Sequence, residues 1–265
     1  MPVYNKEPYI RDTIASILAQ TFSSYEVVMI GGVSSDNTDV ICREFVEKDP
    51  DRFRFVIQTG KGVSNARNDG ILAARGKYVA FLDADDLWVP EYLEVMANLI
   101  RDFPGAIFYA GGFSRLYSDG SVIECPNHLR RGYIDYFQQA LWVHTSALIA
   151  AKETIIDVGL FKTDYVLGEN IDLMIRLALR GNVAYEPTIL EVHPVGRPGS
   201  LCTSGAKNIF LPIPGEPELF STERTPQIIQ FHEWQILGMA MANLDRGYPK
   251  EARKQLKGVI NNRKK

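Results

Sequence analysis

The chain has 265 residues, enough for one large domain or two small ones, since single hydrophobic cores stop growing near about 250–300 residues. Hydrophobic residues make up 46% and charged residues 23%, with 21 glycines and 14 prolines, a balance that excludes collagen-like, coiled-coil and wholly disordered chains. Lys+Arg 29 against Asp+Glu 32 leaves a formal charge of −3, so no basic field marks a nucleic-acid binder, and none is expected as a partner.

Cys42, Cys125 and Cys202 are odd in number, far apart and without a CxxC pair, which argues against a disulfide framework or a zinc knuckle. A reducing, cytoplasmic setting is the expectation. The N-terminus has no basic-then-apolar leader, and no apolar run approaches the roughly 18–20 residues that span a bilayer. At the other end Arg253, Lys254, Lys257, Arg263, Lys264 and Lys265 follow an amphipathic stretch. They form either a peripheral contact with anionic lipid at the inner face of the membrane or the solvated end of a C-terminal helix.

In chain order the pattern is alternation, without a 20–50-residue repeat. Ile10, Ile14, Ile17 and Leu18 fall on one helical face, and Tyr25 to Ile30 is an apolar run of strand length. A helix over about Thr38–Glu47, a strand around Phe53–Gln58, a helix over about Val63–Ala74 and a strand at Tyr78–Leu82 follow. Helix-strand alternation with short connections predicts an α/β fold with a mostly parallel, Rossmann-like sheet flanked by helices. The rhythm changes after about Gly105. A strand at Ile107–Ala110, a turn at Tyr117–Gly120 before Val122-Ile123, and a helix carrying Leu173 to Leu179 read as an α+β half. The Pro/Gly-rich stretch Gly196–Thr225 reads as a surface loop or lid, and Phe231, Trp234, Leu237 and Met241 recur at helical spacing, predicting a final helix packed on the body through that stripe. The predicted organisation is an α/β half over 1–105, an α+β half of the same domain over 106–195, a loop or lid over 196–226 and a helical extension over 227–265.

Two loops carry the chemical signal. Gly31 to Asn37 gathers glycine, serine, aspartate and asparagine between a strand and a helix N-terminus, where backbone amides converge. Phe81-Leu82-Asp83-Ala84-Asp85-Asp86 places three carboxylates within four residues beyond a strand; clustered anions are costly unless a cation joins them, and hard oxygen ligands suit Mg²⁺ or Mn²⁺. The alternative is an acidic cap, with Asp85 or Asp86 closing the turn before Pro90. In open α/β sheets ligands bind beyond the carboxyl ends of strands, so both loops should face one crevice.

Taken in order, Pro2-Val3-Tyr4-Asn5, Ser34-Ser35-Asp36-Asn37-Thr38, Lys61 to Gly70, Phe81 to Asp86, and Gly159-Leu160-Phe161 followed by Gly168 to Leu173 resemble the family 2 glycosyltransferases of the GT-A fold over about residues 1–195. The resemblance implies transfer of a sugar, with inversion, from a nucleotide diphosphate, commonly a uridine one, to a hydroxyl on a glycan, lipid-linked or protein acceptor. Carried over by position, Pro2, Val3, Tyr4 and Asn5 wall the nucleoside pocket with Gly32 and Ala84, Asp83 approaches the ribose, and Arg67 holds base or phosphate unless it serves as a salt bridge with Asp83 or Asp86. Asp85 and His193 are the implied ligands of Mn²⁺ or Mg²⁺. His128, His144 and His232 have less to recommend them. Arg197 and Ser200 would cover the diphosphate from the lid or simply keep the loop soluble.

Three departures qualify that expectation. Gly31-Gly32 stand where the family usually has two aspartates, one of which meets the pyrimidine, so base recognition should be weaker or built differently. Asn170 stands where the family's catalytic aspartate accepts the acceptor proton, which an amide cannot do; Glu169 and Asp172 are the candidate replacements. Met1-Pro2-Val3 also supply few residues for a first strand of usual length, so either that strand is short or residues are omitted at the start. An active transferase with unusual nucleotide recognition and a silent binding protein of the same fold are the two readings that follow.

Overall fold

The computed structural model describes residues 1–125, 129–139, 143–164, 168–199 and part of 226–257. The helical periodicity at the N-terminus becomes α1 (Ile10–Leu18), which buries Ile10, Thr13, Ile14 and Ile17. The apolar run after it becomes β1 (Val27–Gly31), buried along its whole length, as expected of a strand covered on both faces. Then come α2 (Thr38–Lys48), β2 (Phe53–Ile57), α3 (Val63–Ala73) and β3 (Tyr78–Ala80), each near its predicted bounds. β1 and β2 pair in parallel from Val27↔Phe53 to Gly31↔Ile57.

Past β3 the chain forms β4 (Leu87–Trp88), α4 (Tyr92–Asp102), β5 (Phe108–Leu116), β6 (Val122–Cys125) and β7 (Gly132–Ile134). A 3-10 turn (Thr145–Ala147), β8 (Leu148–Ala151), α5 (Lys152–Asp157), α6 (Glu169–Ala178) and β9 (Val183–Pro194) follow. The larger sheet runs β3-β8-β5-β9-β4, with β6 against β5 and β7 against β9. Among the described residues only the β5–β9 pair in this sheet is parallel; the pairs β3–β8, β5–β8, β4–β9, β5–β6 and β7–β9 are antiparallel. The expectation of a mostly parallel sheet therefore holds for β1 with β2 and for β5 with β9, and the rest is mixed. The physical reason is that β4 and β8 come in without a crossover helix that would bring them round in parallel.

Met1 to Val3 give one parallel bridge, Pro2↔Ile30, with the Val3 amide on the Ile30 carbonyl at 2.8 Å. A cavity of about 480 Å³ lies beside this short segment, lined by residues of both β1 and β3, including Val27, Val28, Tyr78 and Ala80. The Met1 ammonium donates to the Val28 carbonyl at 2.9 Å, and burial pulls its pKa down to about 5.

Two large apolar clusters hold most of the body, beside a small one of Val28, Ile30 and Ala66. One packs α1, α2 and α4 around β1 and the Leu82–Trp88 loop, with Tyr92 and Trp88 stacked at 4.1 Å. The other gathers Phe81, Phe108, Phe137, Phe161, Leu173 and Phe231 beneath α6. Phe231 thus docks as predicted. Trp234, Leu237 and Met241 do not: they are 53%, 45% and 65% exposed. Helical spacing identifies an apolar face but says nothing of what covers it. Residues 200–225, including Ser200, and most of the basic tail lie outside the described residues.

Candidate active site

The first wall is a clamp between two loops. Asn5 adopts a positive φ of 50°, a conformation that asparagine tolerates better than most residues. Its Oδ1 accepts from the Ser35 amide at 2.8 Å, while the Lys6 amide donates to Thr38 Oγ1 at 2.7 Å and the Glu7 amide to Asp36 Oδ2 at 3.1 Å. Asp36 also accepts from the Thr38 amide at 3.0 Å, satisfying an orphan donor at the start of α2. Tyr4, beside this clamp, is 58% exposed and available to a ligand, whereas Val3 is buried.

Gly31 and Gly32 are required by their surroundings. A Cβ on Gly31 would stand 2.6 Å from Val3 Cγ2, and Gly32 has φ +102° with Ile57 Cδ1 only 2.7 Å from where its Cβ would be. Neither position accepts an aspartate without rearrangement. In the same place the sequence reading missed Asp39. Its Oδ1 is sealed from solvent, has no hydrogen-bond partner, and lies 3.0 Å from the Cβ position of Gly31. Its signal was faint: an acid in the first turn of a helix is usually a favourable dipole partner and nothing more.

The second wall is the loop after β3. It is tied down by Ser146 on the 3-10 turn, whose hydroxyl accepts from the Asp83 amide at 3.1 Å and donates to Asp86, and whose carbonyl takes Trp88 Nε1 at 2.7 Å. Ala84 is buried, leaving the carboxylates to do the pairing. Asp85 gives one oxygen to Lys6 Nζ at 2.6 Å, and its carbonyl accepts from Arg197 at 2.7 Å. Neither Asp85 nor Asp86 caps α4, whose N-cap residue is Glu91.

Arg67 is the bridge between the halves. Buried on α3, it donates to both oxygens of Asp83 at 2.8 and 3.0 Å and to Glu169 Oε1 at 2.6 Å. The salt bridge to Asp83 that the sequence left open is present; the second partner is Glu169, at the start of α6, and not Asp86. Burial alone would raise the Asp83 carboxyl, but the guanidinium charge and hydrogen bonds outweigh it and hold the group below the usual range. Among the described residues Glu169 Oε2 carries no hydrogen bond, and Asn170 is half-buried beside it. Asp172 is separate: fully buried, it pairs with Arg176 at 2.5 Å, and that arginine also reaches the carbonyls of Val158 and Leu160.

Behind Asp85 lies a group that the sequence did not assemble. Asp86 is buried, with His193 Nδ1 at 2.8 Å from its Oδ1 and His144 Nδ1 at 3.7 Å from its Oδ2. Glu191, also buried, is 3.3 Å from His144 Nδ1. Burial pushes Asp86 up to about 6, pushes Glu191 well above the carboxylate range and pulls His144 down. For His193 burial acts downward, but the Asp86 hydrogen bond and the surrounding carboxylates prevail and raise it. The alternation of β9, which puts Glu191 and His193 two residues apart on one face, was a usable signal for Glu191; nothing local pointed to His144.

An α/β body with its carboxylates gathered beyond the strand ends in this way defines a GT-A fold. S. aureus TarS 1-349 in complex with UDP-GlcNAc superposes with a TM-score of 0.64 at 16% identity, over 98% of this chain and 70% of that one. The mannosyltransferase PcManGT from Pyrobaculum calidifontis, in complex with GDP-Man and Mn²⁺, gives 0.59 at 19% identity over 98% and 85%. Residues 1–150 match Glycosyl transferase family 2, more than half of the chain, and the protein belongs to that family. It is 36% identical over 120 residues to glycosyltransferase GlyA of Streptococcus pneumoniae, covering 45% of this chain and 17% of that protein. To the putative teichuronic acid biosynthesis glycosyltransferase TuaG of Bacillus subtilis it is 33% identical over 124 residues, 46% and 48% of the two chains. The chain spans about half or less of the length of these relatives. Among the described residues no helix is long and apolar enough to cross a membrane.

Proposed function

We propose that the protein transfers a sugar from a nucleotide diphosphate, of the uridine type, to a hydroxyl on a glycan, lipid-linked or protein acceptor, with inversion at the anomeric carbon. The observation that carries this reading is Arg67, which joins Asp83 of the donor loop to Glu169 of α6 and so puts donor-side and acceptor-side carboxylates in one crevice. Family membership and the UDP-GlcNAc held by TarS support the donor class. The silent binding protein is not favoured.

In this reading Pro2, Val3, Tyr4 and Asn5 wall the nucleoside, Asp83 meets the ribose, and the pyrimidine is met without a side chain from Gly31 or Gly32. Asp39 is the nearby carboxylate that takes over that recognition. Glu169 accepts the proton of the attacking hydroxyl at Oε2 while Oε1 stays on Arg67. The hydroxyl oxygen bonds to the anomeric carbon as the bond to the diphosphate breaks, and the diphosphate leaves with the electron pair. Asp172, paired with Arg176, fits a positioning role for α6 better than proton transfer.

A divalent cation suits the crevice. Lys6 takes one oxygen of Asp85, and among the described residues the other has no hydrogen bond, so Asp85 can offer a hard donor. Bound there, a cation would neutralise the charge that develops on the departing diphosphate. Lys6, already in place, would share that role from the protein side. His193, the other ligand that the sequence suggested, instead has its Nδ1 on Asp86.

Glu169→Gln tests the proton step. Turnover of a UDP-sugar should fall by about 10²–10⁴-fold, the usual worth of a general base, while UDP affinity by calorimetry stays within about twofold. Turnover at the wild-type rate would remove Glu169 from the mechanism.

A further inference from the structure

The group behind Asp85 has the composition and geometry of a metal site in its own right. Asp86, His144, Glu191 and His193 each present one ligand atom, all within 4.8 Å of one another. They come from three separate pieces of chain: the loop after β3, the approach to the 3-10 turn, and β9. Glu191 is fully buried, and neither of its oxygens has a hydrogen bond; His144 Nδ1 is likewise sealed and unpartnered, standing 3.3 Å from Glu191 without hydrogen-bond geometry. Buried polar atoms are almost always paired, so three orphaned atoms aimed at one spot need a partner. Metal–nitrogen and metal–oxygen bonds of about 2.0–2.2 Å set tetrahedral donors about 3.3–3.6 Å apart. The separations from His144 Nδ1, 3.3 Å to Glu191 Oε2 and 3.7 Å to Asp86 Oδ2, lie close to that spacing.

We propose that Asp86, His144, Glu191 and His193 bind one divalent transition-metal ion of the zinc type, as an internal site distinct from the crevice cation. Two imidazoles beside two carboxylates favour such an ion over Mg²⁺ or Ca²⁺, which take oxygen ligands. Four protein donors, with Ser146 bonded to Asp86 behind them, complete a tetrahedral set and make the site structural, with no open position for a reacting water. The ion fastens the Asp83–Asp86 loop to β9 and so sets where Asp85 stands. With Nδ1 of His193 on this ion, its Nε2 carries the proton and can only donate, to a diphosphate oxygen for instance. The crevice cation is then left to Asp85 and the oxygens of the donor. The proposal stands whether or not sugar transfer is detected.

The test uses the whole chain without nucleotide. Elemental analysis of protein purified without added metal should find one tightly held equivalent of transition metal. After chelation, Co²⁺ should restore one equivalent with the intense visible absorption of a tetrahedral site, and added Zn²⁺ should raise the Tm of the stripped wild type. Glu191→Gln and His144→Gln, checked for folding by circular dichroism, should each weaken Co²⁺ binding by at least about tenfold, and Asp85→Asn should keep both the equivalent and the spectrum. The proposal is overturned if the stripped wild type takes up Co²⁺ only when UDP is present, if Glu191→Gln binds it as the wild type does, or if Asp85→Asn alone abolishes binding. Should both cluster variants fail to fold, the wild type decides: no metal on purification and no Zn²⁺-dependent rise in Tm would equally overturn it.

Discussion

Two sets of carboxylates flank the crevice, and they are satisfied in opposite ways. At the N-terminal clamp Glu7 and Asp36 sit near solvent and accept from nearby amides: Asn37 gives Glu7 its backbone N–H at 3.0 Å and its side-chain N–H at 2.8 Å. These bonds hold both acids below their usual pKa values. Behind the second loop burial pushes the pKa values of Asp86 and Glu191 up, and among the described residues no amide or guanidinium reaches their carboxylates. Asp83, half-buried, and Glu169, buried, lie between these extremes, both matched by Arg67. How a carboxylate titrates here is therefore set by which cation or donor its burial leaves within reach.

The largest expected effect comes from removing the buried cation that pairs with a carboxylate from each half. Arg67→Met leaves Asp83 and Glu169 without their partner, and breaking a buried pair from one side costs about 3–5 kcal/mol. Urea unfolding should show a loss near that range together with loss of transfer. A change below about 1 kcal/mol, the value of a solvent-exposed pair, would mean that water already screens the bridge. Next is Gly31→Asp, which restores the family's carboxylate. With Val3 Cγ2 2.6 Å and Asp39 Oδ1 3.0 Å from the new Cβ, it should destabilise by about 1–3 kcal/mol, as overpacking does. It should also leave UDP affinity no better than in the wild type. Tighter UDP binding by calorimetry would show that the loop can reshape around an aspartate and that Asp39 is not its replacement.

Much of this architecture was legible because it is local. Periodicity located α1 to α3 and β1 to β3 within a few residues, and a contiguous Asp-Ala-Asp-Asp announces itself. Partners brought together by the fold were not. Arg67 meets Glu169 across 102 positions, and Asp86 meets His193 across 107, separations over which no spacing rule operates. The departure at Gly31-Gly32 was plain in the sequence, but its cause, the side chains of Val3 and Ile57, lies on neighbouring segments. The exposed face of Trp234, Leu237 and Met241 marks the converse limit, where a clear pattern was assigned to the wrong surroundings.

The smallest effect sharpens the near-solvent side of the comparison through pH. Burial by itself would raise the Asp36 carboxyl, but the Thr38 hydroxyl and amide and the Glu7 amide outweigh it, so the folded pKa lies below the reference value of 3.8. Because the folded state binds this proton less tightly than the unfolded chain, the ionised group contributes stability above about pH 4. That contribution fades as the pH falls through the folded pKa. Asp36→Asn keeps the shape and removes the charge, so it should cost roughly 0.5–1.5 kcal/mol at neutral pH, the net worth of such a hydrogen bond. The gap between variant and wild type should narrow below about pH 4. A gap in Tm that stays constant from pH 7 to about pH 3 would show that the clamp depends on the shape of residue 36 and not on its charge.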